Sequence, residues 1–362
     1  MDSTDHRPFY IKSALILLSA TLVILLLFWA KSVIVPLIFS LFIAILLNPI
    51  VNFFTRRKVP RVFSIFIAMF VGLIGMSAFI FFIGLQVSMF VKTYPTLRDK
   101  GKVASKEAIA WVEEKFNIDD NKVSGWIDDI EKEGVTGMTG FLGTTIMTVS
   151  TTTMLIFLIP IYTLLILYYK YLMLSFIKQL FNKKHHGDVA EILQSIKTII
   201  QSYLTGLLIE GAIVAVLNSV GLLILGVEYA IILGITGAIL NVIPFIGGVI
   251  AIALPVIIAL VTKSWVTALL VVAVYSFIQF VDNHYLIPYI VASKVKVNAL
   301  FAIIVVIIGD EIWGIPGMFL AIPLTALVKV IFDHITPLKP WGFLLGDNVP
   351  PSIRLPFTNV KK

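Results

Sequence analysis

Asp310 and Glu311 are adjacent carboxylic acids inside the apolar run FAIIVVIIGDEIWGIPGMFLAIPLTALVKV, residues 301–330. Two more acids, Glu210 and Asp282, lie within or at the end of other apolar runs, and Asn241 interrupts a further one. A charge at the bilayer centre costs about 2.5–3.5 kcal/mol by insertion scales, so an ionisable residue at that depth marks a route for ions, protons or polar solutes. Carboxylates can hold a cation, or take up and release a proton. The chemistry these residue types point to is ion-coupled transport. Each also has a plainer reading. Asp310 and Glu311 would be solvated at an interface, and Asp282, Asn283 and His284 would end a helix there. Glu210 would snorkel or pair with a basic residue, and Asn241 would cap a half-helix.

Other chemistries lack their residues. His6, His185, His186, His284 and His334 are scattered without metal-ligand spacing. There is no cysteine, which excludes disulfides and thiol catalysis. No GxxxxGK[ST] phosphate loop is present. The stretch IIGD resembles the Gly-Asp of intramembrane aspartyl proteases, but Ile307 stands where their motif needs its first glycine, and no tyrosine precedes Asp282. We therefore expect no enzymatic activity, no metal and no cofactor. The net charge of +7 suits basic cytoplasmic loops rather than nucleic acid.

The elements that must position these acids are membrane helices. Of the 362 residues, 59% are hydrophobic and only 14% charged, against about a quarter charged in a soluble domain. Runs of about 20 apolar residues span the roughly 30 Å hydrocarbon core. The chain offers Ser13–Ala30, Ser32–Thr55, Val62–Val91, Gly134–Tyr169, Gly211–Val227, Tyr229–Thr262 and Ser264–Val281. Uninterrupted runs of this length predict an all-α polytopic bundle, not a barrel. We divide it into N-terminal transmembrane helices (1–91), an extracytoplasmic amphipathic segment (92–138), a transmembrane helix (139–170), a cytoplasmic amphipathic helix (171–201), a transport core (202–335) and a cytoplasmic tail (336–362).

Lysine and arginine set the orientation. Arg56, Arg57, Lys58 and Arg61, then Lys170, Lys178, Lys183 and Lys184, then Lys294 and Lys296, mark cytoplasmic loops, and both termini fall inside. Residues 92–133 are polar and fall outside, as a surface cap, an oligomer contact or a gate. Ile109, Val112 and Phe116 recur there at helical spacing, as do Trp126 and Ile130.

Two segments fit full crossings poorly. Tyr229–Thr262 is broken by NVIPFIGGV, and the 13 residues Val297–Gly309 rise only about 20 Å as a helix before meeting Gly314, Pro316 and Gly317. Both read as re-entrant hairpins. Non-helical backbone at that depth is tolerated where protein or a watery cavity satisfies it, and transporters place substrates and ions at such breaks. The site therefore draws Asn241, Pro244, Gly247 and Gly248 from one tip, and Asp310, Glu311, Gly314 and Gly317 from the other. Glu210 and Asp282 are the further coupling candidates. We expect the 309–317 tip to be unwound, with Asp310 facing an aqueous cavity.

The stretches LLNPIVNFF, YLTGLLIEGAI, GAILNVIPFIGGVIAIALPVIIAL and VDNHYLIPYIVASKVKVNALFAIIVVIIGDEIWGIPGMFLAIPLTALVKVIFDHI resemble the autoinducer-2 exporter-like (PerM-like) permease family over most of the chain. The resemblance implies a bacterial inner-membrane permease that forms homo-oligomers. It exports a small polar solute or signal molecule, or exchanges Na⁺ for H⁺. A membrane scaffold that transports nothing is the remaining alternative. The chain departs from the family pattern at Leu207 and Glu210, and at the acidic pair 310–311.

Overall fold

A computed structural model describes residues 8–78, 80–82, 84, 85, 88, 157–241, 247–292 and 295–347. The outer segment 92–138, Pro244 and the tail beyond Asp347 lie outside the described residues. The described chain is helical, and its only β feature is an isolated bridge between Val297 and Gly346. Among the described residues six helices are long and apolar enough to cross a membrane: Lys31–Arg56, Arg61–Phe82, Phe157–Leu180, Lys183–Ile224, Trp265–Val291 and Ile315–His334. Their outward faces carry Leu, Ile, Val and Phe, as lipid contact requires. The chain is an all-α, multi-pass membrane protein.

α1 (Phe9–Trp29) and α2 (Lys31–Arg56) form a helical hairpin. α3 (Arg61–Phe82) and α4 (Phe157–Leu180) pack on α2 through Ala44, Leu47, Val51, Ile65, Ala68 and Leu167. Polar side chains also tie this layer together. Ser40 Oγ donates to the Ile159 carbonyl (3.0 Å), Lys170 Nζ to Asn48 Oδ1 (3.0 Å) and Arg61 to the Leu167 carbonyl (2.8 Å). α5 (His186–Ile224) runs 39 residues without a break, so the amphipathic segment and the following span are one helix. Gly226, at φ +63°, turns the chain back into α6 (Ala230–Asn241). α7 (Gly247–Thr262) follows, and Ser264 then caps α8 (Trp265–Val281) by accepting from the Thr267 amide.

α8 does not stop at the interface as Asp282–His284 suggested. The chain continues as a π-helical turn, Asp282–Ala292. Pro288 lacks the N–H that an α-turn needs, and the wider turn accommodates it. Asp282 therefore sits inside a continuous span, wholly buried. Gly206 of α5 makes this packing close, since a methyl there would lie 2.7 Å from the Ile290 carbonyl oxygen.

α9 (Ala299–Trp313) and α10 (Ile315–His334) form the last pair. Asn298 accepts from the Phe301 amide to cap α9, and donates to the Leu344 and Gly346 carbonyls (2.7 and 3.1 Å) beside α11 (Lys339–Leu345). Here the expected unwinding is not found. α9 stays helical through Asp310 and Glu311, and the break is one residue, Gly314, at φ +66°. Trp313 Nε1 donates to the Leu27 carbonyl (2.9 Å), so this turn stands level with the last turn of α1. α10, at 20 residues, rises about 30 Å.

Gly314 has open space around a would-be Cβ, so its only constraint is the backbone angle. Gly314→Ala should cost about 1–2 kcal/mol. Gly75→Ala, in an uncrowded helical position, should be neutral or mildly stabilising. Thermal melting in detergent separates the two. Equal melting temperatures would contradict the left-handed turn.

Candidate functional site

Glu210, Asn241 and Asp282 come from three elements and meet. Glu210 lies in mid-α5, Asn241 ends α6 and Asp282 opens the π-turn. α6 returns antiparallel to α5, which brings its last residue beside Glu210. Asn241 Nδ2 donates to Asp282 Oδ2 at 2.8 Å and stands 3.5 Å from Glu210 Oε1. Glu210 is 4% exposed and Asp282 0%. Among the described residues no basic side chain forms an ion pair with either acid, so Glu210 neither pairs with a cation nor snorkels. A neutral amide joins two buried carboxyl groups. Among the described residues Asp282 Oδ1 has no hydrogen-bond partner. Two like charges so close in a water-poor site repel strongly, and such a pair is chemically able to hold a proton or a small cation.

Glu210 and Asn241 border a cavity of about 1050 Å³, and Asp282 reaches it through its bond to Asn241. Its polar wall is Glu210, Asn241, Ser276, Gln279 and Asn283, with the last three on one face of α8 and its continuation. Gln279 Nε2 donates to Asn283 Oδ1 at 3.4 Å. The apolar wall includes Leu207, Ile252, Phe280 and Ile287. Val297, Ala299 and Ala302 of the α9 start and Ile322 of α10 complete it. Gly248 opens α7 against this wall, where a methyl would stand 2.9 Å from Gln279 Oε1. Gly247 lets α7 abut α6, because a methyl there would collide with the Leu240 carbonyl. No lysine, arginine or histidine lines the cavity among the described residues. Its donors and acceptors are amides, hydroxyls and one carboxyl group, a set suited to neutral polyhydroxylated solutes and unsuited to anions.

Of the residues singled out by sequence, Glu210, Asn241, Gly248 and Asp282 gather here, with Gly247 adjoining. Asp310, Glu311, Gly314 and Gly317 do not. Asp310 and Glu311 are exposed on α9, about 16 Å of helical rise from Ala299 at the cavity. Tyr203, Asn218, Tyr275 and Gln279 were not foreseen. A period count offers a signal for two of them: Asn218 lies two turns beyond Glu210, and Ser276, Gln279 and Asn283 follow i, i+3, i+7.

Comparison with known proteins bears on what such a bundle does. Residues 15–336 match the family described as AI-2E family transporter. The chain is similar to the AI-2 transport protein TqsA of Escherichia coli K12, at 28% identity over 326 residues, which cover 88% of this chain and 91% of that protein. It is 27% identical to YrrI of Bacillus subtilis 168 over 326 residues, or 85% of this chain and 88% of that one. PerM of Escherichia coli K12 aligns over 179 residues at 25% identity, about half of each chain.

Proposed function

The chain belongs to the AI-2E transporter family, and from that premise we propose that it is an ion-coupled secondary permease exporting a small, neutral, polar solute. The observation that carries the reading is the large uncharged-polar cavity joined to a buried carboxyl pair. The cavity receives the solute through Asn241, Gln279 and Asn283, and the pair carries the coupling proton or Na⁺. Both termini are cytoplasmic on this reading. The cavity then lies in the cytoplasmic half, since its floor is built from residues beside Lys296. We read α6 and α7, of 12 and 16 residues, as a re-entrant pair. Asp310, Glu311, Gly314 and Gly317 belong to the opposite end of the route, where the two acids line its mouth rather than bind the coupling ion. A relative is named as an AI-2 transport protein, which supports a solute-transporting role. Na⁺–H⁺ exchange without an organic solute would use the same carboxyl pair, and the size of the cavity argues against it, because a bare ion needs far less room.

Purified protein in proteoliposomes tests this directly. A panel of neutral polyols, amino acids and organic anions is loaded, and efflux is followed with and without pH and Na⁺ gradients. We expect gradient-dependent efflux of a neutral member of the panel, lowered about tenfold or more by Gln279→Leu. Ion exchange with no solute flux would support the antiporter. No flux of any kind would leave only the scaffold reading.

A further inference from the structure

Beyond the carboxyl pair, α5, α6 and α8 are stacked in layers. One turn past Glu210, Asn241 and Asp282 come Val214, Ala238 and Ile278, which are buried against one another. One turn further stand Asn218 on α5 and Tyr275 on α8, both beside Gly237 of α6. A methyl on Gly237 would lie 3.3 Å from the Asn218 amide nitrogen and 3.3 Å from the Tyr275 oxygen. Beyond them Leu222, Leu233 and Val271 close the stack. The sequence of layers is polar, apolar, polar, apolar.

The second polar layer is incomplete. Asn218 is 3% and Tyr275 6% exposed, yet among the described residues Asn218 Oδ1 and Tyr275 Oη have no hydrogen-bond partner. Leaving two such groups unsatisfied costs about 1–3 kcal/mol each, and buried polar groups of this kind are met by ordered water or an ion. The donor set decides between them. It holds an amide and a phenol but no carboxylate, and an unpaired cation in so apolar a shell is strongly disfavoured. Water can donate to Asn218 Oδ1 while bonding to Tyr275 Oη. Tyr275 is also one of the residues lining the cavity, but its Oη is shut off from that open space.

We infer that Asn218 and Tyr275 hold an ordered water that is the second station of a proton path, with the Glu210–Asp282 pair as the first and Val214, Ala238 and Ile278 as a dry barrier between them. The inference rests on the proposed coupling role of that pair. When the barrier admits water, a proton leaves a carboxyl group, which becomes a carboxylate. The proton passes to the entering water and on to the Asn218-held water, and each hop regenerates the water it left. The other titratable side chain buried along these faces is Tyr203, which lines the cavity on the near side of the barrier. With the barrier dry, the two stations are disconnected and protons do not leak.

The test uses the full chain in proteoliposomes with an internal pH-sensitive dye and an imposed K⁺ diffusion potential. Ile278→Asn should wet the barrier and raise solute-independent proton leak about tenfold. This gain a merely destabilised protein would not show. Asn218→Leu, which lies off the cavity wall, should slow proton flux several-fold while solute exchange without a gradient continues, and Tyr275→Phe should slow proton flux by a similar factor. Monodisperse elution and melting in detergent confirm that each variant is folded. Wild-type leak in Ile278→Asn together with wild-type proton flux in Asn218→Leu and Tyr275→Phe would overturn the relay. If Asp282→Asn abolishes proton flux while those variants do not, this inference alone fails. If Asp282→Asn also leaves the flux unchanged, the coupling reading fails with it.

Discussion

Asp282→Asn is expected to lower gradient-driven transport at least about a hundredfold while leaving a folded, inserted protein. Asparagine matches aspartate in shape, and its amide oxygen can accept from Asn241 Nδ2 as Asp282 Oδ2 does at 2.8 Å. What is lost is the ability to carry a charge or a proton. Glu210→Gln should act in the same direction, and the double variant should be little worse than either single one, because groups that work as a unit are not additive. Asp310→Asn, at an exposed position, should change the same flux less than about threefold. Efflux from proteoliposomes under an imposed pH or Na⁺ gradient reads all four. Wild-type gradient dependence in Asp282→Asn would remove the carboxyl pair from the mechanism. A large loss in Asp310→Asn would move coupling to the α9–α10 turn.

The second large effect concerns architecture. Gly309 and Gly317 bring α9 and α10 together backbone to backbone: a methyl on Gly317 would overlap the Gly309 carbonyl, and one on Gly309 would lie 2.5 Å from the Gly317 carbonyl oxygen. Neither obstacle is the end of a flexible side chain, so the helices themselves would have to separate. Gly317→Ala should cost about 3 kcal/mol or more. It should show as a lowered melting temperature and a poor yield of monodisperse protein. Ile315→Leu, at an exposed position, should be silent. If Gly317→Ala melts within about one degree of wild type, the two helices are not packed as described.

Much of this was legible because lipid simplifies the reading. Most spans could be located from uninterrupted apolar length, although Ile315–His334 was not among those runs and Tyr229–Thr262 is not one of the six long helices. The acids at 210 and 282 stood out against that background. The meeting of Glu210, Asn241 and Asp282 was not legible. It depends on the antiparallel return of α6 along α5 and on the π-turn that carries α8 past Asp282, and neither leaves a mark in composition. The weight placed on Asp310 had a related cause. Gly309, Gly314, Pro316 and Gly317 suggested a broken tip. Yet Pro316 falls in the first turn of α10, where it needs no donor, and two of the glycines serve helix contact. Only Gly314 bends the chain. Asn218 and Tyr275 were hidden for a third reason: they lie on different helices, and what makes them a pair is Gly237 on another.

The joining of Glu210 to Asn241 and Asp282 also bears on how the protein is made. Asn241 follows Glu210 by 31 residues, and Asp282 follows Asn241 by 41. At about 5–20 residues per second of synthesis, Glu210 waits several seconds for its partners. During that wait it is an acid on a lone apolar helix. At about 2.5–3.5 kcal/mol for an acid at that depth, α5 alone is a poorer span than α5 joined to α6, and its stable place in the bilayer comes only once Asn241 has followed it.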